Sequence, residues 1–272
     1  MARRKAVPPR GILKTSTADP SRHRYERFHP TPDLAPYVEH FWLVEWDLRG
    51  AAPERAETLP HPNVHMIFQE GRSRIRGPAR AKFSTLLEGK GGVFAAKFTP
   101  AGFYPFAGVP VSTFADVIVS IRDVFGAEGN ELDRAVLAEK SDDARIELIE
   151  AFLRARLREP DANVARISEM AYVVAKERDI RKVADLAARY RVNERTLQRL
   201  FARYVGVSPK WVIQRYRLHE AAEQLAAQET LDQAALALEL GYSDQAHFVR
   251  DFKSIIGLSP AAYARSARAQ KR

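Results

Sequence analysis

The chain has 272 residues and no cysteine. That absence excludes a disulfide framework, a thiolate nucleophile and any zinc site built on Cys ligands, so folding rests on core packing in a compartment that need not be oxidising. No apolar run approaches the roughly 18 residues needed to cross a bilayer, and a membrane span is excluded on that ground. No Gly-rich phosphate loop and no nucleophile motif is legible either, which removes the usual signatures of nucleotide-dependent or covalent catalysis. A cytoplasmic protein that is not an enzyme and carries no cofactor is the expectation.

Acidic charge is also in short supply: 43 Lys and Arg against 34 Asp and Glu leave a net +9. The excess is unevenly spread. Residues 180–272 carry +7 and residues 1–14 carry +5, while residues 15–179 are left at −3. A basic C-terminal part beside a mildly acidic one is the electrostatic footprint of nucleic-acid binding, because Lys and Arg displace counterions condensed on phosphates. Charge alone is equally compatible with a solvated basic surface. The length fits two domains, each with its own core.

Four stretches differ in character. Residues 1–27, rich in charge with adjacent prolines and no apolar h-region, read as a flexible basic arm. Residues 28–112 read as a β-rich sensor or dimerisation domain. In "FWLVEWDL", Trp42, Val44, Trp46 and Leu48 share one face of an extended chain, opposite Glu45 and Asp47, and "VHMIFQE", "RSRIRG", "FSTLLEG" and "GVFAAKFT" supply further strands. Residues 113–178 read as a helical connector. It comprises "FADVIVSIRDVFG", a helix N-capped by Ser141 with Leu148 and Phe152 on its stripe and stopped by Pro160, and a helix over about Val164 to Lys176. Residues 179–272 form the fourth, all-helical stretch.

That last stretch contains a repeat. "RLFARYVGVSP" (Arg199 to Pro209) returns as "RDFKSIIGLSP" (Arg250 to Pro260), with Arg, Phe, Gly, Ser and Pro in register. Each copy follows a short helix ("KVADLAARY", "DQAALALEL") and a turn ("RVN", "GYS"). The small residues Ala184, Ala187, Ala235 and Ala237 allow the close helix approach of a helix-turn-helix. Asn193 is placed to N-cap the second helix of the first copy, and Ser243 or Asp244 that of the second. Leu197, Leu200 and Phe201, then Phe248 and Phe252, form the inward stripes. Gly206 and Gly257 end those helices in the left-handed conformation, and Ser208-Pro209 and Ser259-Pro260 begin the next ones. Between the copies, a long amphipathic helix offers Val212, Tyr216, Ala221 and Leu225 to both units.

The pattern "VADLAARYRVNERTLQRLFARYVGVSP…RLHEAAEQL…LALELGYSDQAHFVRDFKSIIGLSPAAY" resembles the AraC/XylS family of transcription regulators over the whole DNA-binding domain. "LAPYVEHFWLVEW" and "LPHPNVHMIF" more weakly resemble the cupin-like region fused to such domains, with "HPN" in place of a more usual turn. The resemblance implies an α+β protein: an N-terminal β-rich cupin-like sandwich or barrel with a helical connector, then an all-α double helix-turn-helix domain. Two recognition helices about 34 Å apart would enter successive major grooves of double-stranded DNA.

At positions matching the family, Arg195, Gln198 and Arg199 on the first recognition helix, and Gln245, His247 and Arg250 on the second, are implied to face bases. Arg suits guanine and Gln suits adenine. Asn193 joins this DNA-facing set, and Ser243 and Lys253 suit phosphate contacts. Family habit adds a small-molecule effector, RNA polymerase and homodimerisation as partners.

For the N-terminal region the residues say less. Trp42, Trp46, Phe68, Phe94, Phe98, Phe103, Tyr104 and Phe106 are expected mainly in core packing, with a small-molecule pocket as the sharper alternative. His40, His61 and His65 invite a metal reading, but their spacing is not diagnostic and no metal is assigned. The rivals to a sequence-specific regulator are a metal-dependent cupin-type enzyme with an accessory nucleic-acid-binding domain and a non-specific architectural DNA binder.

Overall fold

A computed structural model describes residues 12–13, 20–59, 61–157, 159, 161–227 and 232–269. Most of the expected basic arm, and Pro160, lie outside the described residues. The described residues form nine strands: β1 (Ile12–Leu13), β2 (His23–Phe28), β3 (Val38–Asp47), β4 (Glu54–Thr58), β5 (His65–Phe68), β6 (Arg74–Arg76), β7 (Phe83–Leu87), β8 (Lys90–Phe98) and β9 (Ile118–Ser120). They make a six-stranded sheet in the order β2-β3-β8-β5-β6-β9 and a three-stranded sheet in the order β1-β4-β7, with antiparallel pairing throughout. The fold is α+β, with these two sheets facing each other and most of the helices after them.

Register decides which side chains share a face. One row across the large sheet runs Phe41, Ala96, Met66, Ile75, all buried in the main core. The next runs Trp42, Ala95, Ile67, Arg74 and turns toward the small sheet. Both faces of β3 are covered: Phe41 and Leu43 lie in the main core on the helix side, while on the Trp42 face Trp46 and Leu48 are buried with Leu87 between the sheets and Trp42 itself is half-buried beside the space between them.

Two expectations need correction at the edges of the β-rich part. Residues 23–27, read as part of the arm, form most of β2, paired residue for residue with β3. "FADVIVSIRDVFG" is not one helix: its β-branched stretch forms β9 against β6, and a helix starts only at Ile121. Ser120 makes that boundary, since its side chain accepts from Asp123 N while Asp123 accepts from Ser120 N.

The helices are α1 (Tyr104–Ala107), α2 (Ile121–Ala138), α3 (Asp142–Arg156), α4 (Ala162–Lys176), α5 (Val183–Arg189), α6 (Glu194–Tyr204), α7 (Pro209–Ala227), α8 (Gln233–Glu239), α9 (Gln245–Ile256) and α10 (Pro260–Ala269). Ser141 caps α3 as expected, but the fully buried stripe is Ile146, Ile149 and Leu153, with Leu148 and Phe152 half-buried beside it. One apolar core runs from the large sheet through α2 to α4 and into α5, α6 and the first turns of α7. The second half of α7, with α8, α9 and α10, encloses a separate core, which Leu59 enters from the end of β4.

Candidate nucleic-acid interface and sensor cavity

The second helix of each repeat is built by the same local chemistry. In α6, Asn193 Oδ1 accepts from Thr196 N at 2.7 Å, satisfying an otherwise unpaired first-turn donor, and Leu197, Phe201 and Tyr204 are buried. Leu200, assigned to the inward stripe, is half-buried. In α9 the cap is Asp244, whose Oδ1 accepts from His247 N at 2.7 Å, and the buried stripe is Phe248, Phe252 and Ile256.

Gly206 and Gly257 stand at φ 85° and 84°. Gly206 is required twice over, because a Cβ there would meet Val111 O at 2.8 Å. Ser208 Oγ then accepts from Trp211 N, and Ser259 Oγ from Ala262 N, at the start of α7 and α10. The inter-helix turns also match. Val192 N bonds Ala187 O after Arg191 at φ 52°, and Tyr242 N bonds Ala237 O after Gly241 at φ 84°. The second turn is one residue longer. Ala187 and Ala237 are the buried small residues at these crossings, whereas Ala184 and Ala235 are exposed, contrary to expectation.

Opposite the buried stripes, Asn193, Arg195, Gln198, Arg199, Ser243, Gln245, Arg250 and Lys253 are all exposed. His247 differs from the rest of that set in being packed on one side, with its side chain 42% exposed. It is half-buried, its ring sits edge-on to Tyr242 at 5.2 Å, and Nε2 lies 3.4 Å from Asp251 Oδ2. Ser243 donates its hydroxyl to Asp244 Oδ2 at 3.1 Å. Three cations outside the repeat escaped the sequence reading. Arg181, Lys182 and Lys210 gather beside Gly241 and Ser243 along a cleft of about 300 Å3 between the two units. Their only signal was a basic pair before α5 and a lysine at the second position of α7.

Helix α7 fastens the reader to the rest of the chain. Arg217 Nη2 donates to the carbonyls of Val174 and Glu177, both at 2.8 Å, closing the C-terminal end of α4, while Nη1 bonds Glu220. The His219 ring meets that of His61 at 5.2 Å. Burial first, then Arg215 and Lys97, push His219 down to about 2; burial likewise drives His61 and His65 well below the ordinary histidine value. Toward the first unit, Tyr104 packs on Tyr204 at 4.3 Å and its hydroxyl accepts from Arg203 Nε at 2.6 Å.

Between the two sheets lies a cavity of about 590 Å3. It brings together His40, His61 and His65 with Trp42, Trp46, Lys97, Arg74 and Arg76. Phe68, Phe94, Phe98, Phe103 and Phe106 are core residues. Trp42 Nε1 donates to His65 Nδ1 at 3.2 Å, and among the described residues no group of three His, Cys, Asp or Glu could hold a metal ion.

Glu39 sits at the irregularity where β3 slips register against β8. It accepts from Lys97 Nζ at 2.8 Å, Asn63 Nδ2 at 3.2 Å and the Tyr172 hydroxyl at 2.7 Å, which ties the cavity rim to α4. Burial alone would raise its carboxyl, but the bond with His40 and the Lys97 charge hold it well below the usual carboxylate range.

This is the architecture of a protein with two helix-turn-helix units in one chain. Residues 186–266 match the sequence model of a helix-turn-helix domain, and residues 26–120 match a domain of unknown function (DUF6597). An uncharacterized HTH-type transcriptional regulator of Haemophilus influenzae is 38% identical over 87 residues, covering 32% of this chain and 28% of that protein. The uncharacterized HTH-type transcriptional regulator YfiF of Bacillus subtilis is 29% identical over 140 residues, 49% of this chain and 44% of that protein. The chain thus matches less than half the length of either relative. The C-terminal domain of AraT, a response regulator from Geobacillus stearothermophilus, is similar at 24% identity, over 40% of this chain and 88% of that one, with a TM-score of 0.34. Among the described residues, no helix is long and apolar enough to cross a membrane.

Proposed function

We propose that the chain is a sequence-specific, non-catalytic transcription regulator that reads two successive major grooves of double-stranded DNA. The observation that carries this reading is the duplicated unit: two caps, two left-handed glycines and two exposed polar faces on the second helices, joined through α7. In this reading Arg195, Gln198, Arg199, Gln245 and Arg250 face base edges. Lys253 and the cleft cations Arg181, Lys182 and Lys210 neutralise phosphates. His247 acts from the rim, Asn193 offers the Nδ2 donors that its Oδ1 cap does not use, and Ser243 exchanges its hydroxyl bond to Asp244 for one to a phosphate. The β-rich region is read as the effector-binding part, with the inter-sheet cavity as its site; a dimer or RNA polymerase contact is an additional layer that the double reader does not require.

Selection of bound sequences from a random duplex pool by the full chain tests this. The reading expects one asymmetric motif with two contact blocks about one helical turn apart. A folded full chain that retains duplex DNA but enriches no sequence contradicts it.

A further inference from the structure

The cavity between the sheets is not neutral in its chemistry. Across four strands of the large sheet, one row of paired residues reads His40, Lys97, His65, Arg76, and every member lines the cavity. Arg74, two residues from Arg76 on the same face of β6, lines it as well. Lys97 is matched by Glu39. The two arginines are not matched: among the described residues no carboxylate pairs with either. Arg74 Nη1 donates to two neutral acceptors, Gln69 Oε1 at 2.9 Å and the Arg72 carbonyl at 2.5 Å. Among the described residues Arg76 makes neither hydrogen bond nor ion pair, and it lies over the Phe83 ring, its Cζ 4.2 Å from the centroid.

Both side chains are half-buried, and two cations held side by side on one face repel each other where no anion lies between them. Burial, followed by the Arg74 charge, pushes Arg76 down to about 10. The walls nearby are apolar and flat, with Trp42 and Trp46 on one sheet and Phe83 and Leu86 on the other. A volume of about 590 Å3 is the size of a small-molecule site.

We infer that this cavity binds a small organic anion with an apolar, ring-sized body, its acid group held by Arg76 and Arg74 and its body against the tryptophans. The inference rests on reading the β-rich region as the effector-binding part and supplies that effector's chemical class. An acid group would give Arg76 the partner it lacks, and the planar guanidinium matches the two oxygens of a carboxylate or sulfonate. The competing account makes Arg76 a staple, its stacking on Phe83 serving to hold the small sheet to the large one.

Two fluorescent probes of similar body separate these accounts: 8-anilinonaphthalene-1-sulfonate, which is anionic, and N-phenyl-1-naphthylamine, which lacks the sulfonate. With the full chain, the anionic probe should bind at one site and weaken about tenfold in Arg76→Gln and further in the Arg74→Gln/Arg76→Gln double variant, the scale of one charge-assisted bond. Arg76→Lys should recover part of that loss, and the neutral probe should bind all forms alike. Raising NaCl from about 50 to about 500 mM should weaken only the anionic probe in the unmutated protein, a check that needs no variant to fold. Equal loss of both probes in Arg76→Gln, or absence of anionic-probe binding by the folded protein, would overturn the inference. Retention of the signal in the double variant, or its displacement by duplex DNA, would place the probe on the basic reader and overturn it equally. None of these readouts depends on a DNA motif, so failure of the regulator reading would register separately.

Discussion

The two helix-turn-helix units are near copies in sequence and differ in what surrounds them. The first shares its core with the sheet and connector: Leu186, Leu197 and Phe201 belong to the same apolar cluster as Phe41 and Phe98. The second has a small core of its own around Phe248 and Phe252, closed by Leu225 of α7 and by Leu59 reaching from the β-rich region. One unit is therefore an extension of the main body, and the other a satellite with its own core, joined through α7, with Leu59 inserted into that core and Lys82 and Arg181 lying against Gly257 and Gly241. The same local code can serve a rigid reader and a more independent one, depending on which apolar faces it meets.

The comparison breaks most visibly at the paired phenylalanines. Phe201→Ala and Phe252→Ala each empty a fully buried site and should cost about 3–5 kcal/mol. The first should lower the melting of the whole chain in one transition. The second should leave the main transition nearly in place and expose only α8 to α10, as hydrogen exchange by segment would show. A single common loss for both would merge the two cores. Leu59→Ala should cost about 2 kcal/mol, near the low end for a buried leucine, and should raise exchange in α8 and α9 but not in α5 and α6.

A smaller effect is tied to pH. His61, His65 and His219 have folded pKa values depressed by burial below the unfolded value near 6.5. Below about pH 6.5 the unfolded chain takes up protons that the folded chain refuses, so their contribution is full above that pH and is lost as pH falls. Each contributes a slope of up to about 1.4 kcal/mol per pH unit. His219→Phe should flatten the slope in a melting series from about pH 7 to about pH 5; an unchanged slope would remove His219 from the account. Smallest are the caps. Asn193→Ala and Asp244→Ala should each cost about 1 kcal/mol, the second appearing as fraying of α9 alone in exchange data.

The reader was legible in the sequence because its information is local. Caps, left-handed glycines and Ser-Pro restarts act within a few residues, so an eleven-residue repeat carried them intact. The contact of His247 with Tyr242 was not legible, because it arises in a turn one residue longer than its counterpart in the first copy. The β-rich part was harder to read. Strand pairing is non-local, and β2, β4 and β9 are short or polar segments whose partners lie elsewhere in the chain. The cavity needed the register to be known: nothing in "RSRIRG" alone tells that both arginines face the tryptophans of β3. Even so, β5, β6 and β7 fell within the stretches quoted for them, and β3 and β8 overlapped theirs, starting three and two residues earlier.

The most direct test of one chain with two readers is motif selection repeated with Arg199→Ala and with Arg250→Ala. Each substitution should reduce specific binding by about 1–3 kcal/mol and erase base preference in one contact block while leaving the other block and the spacing intact. Two variants that blur the same block, or that weaken random and selected DNA equally, would contradict the account.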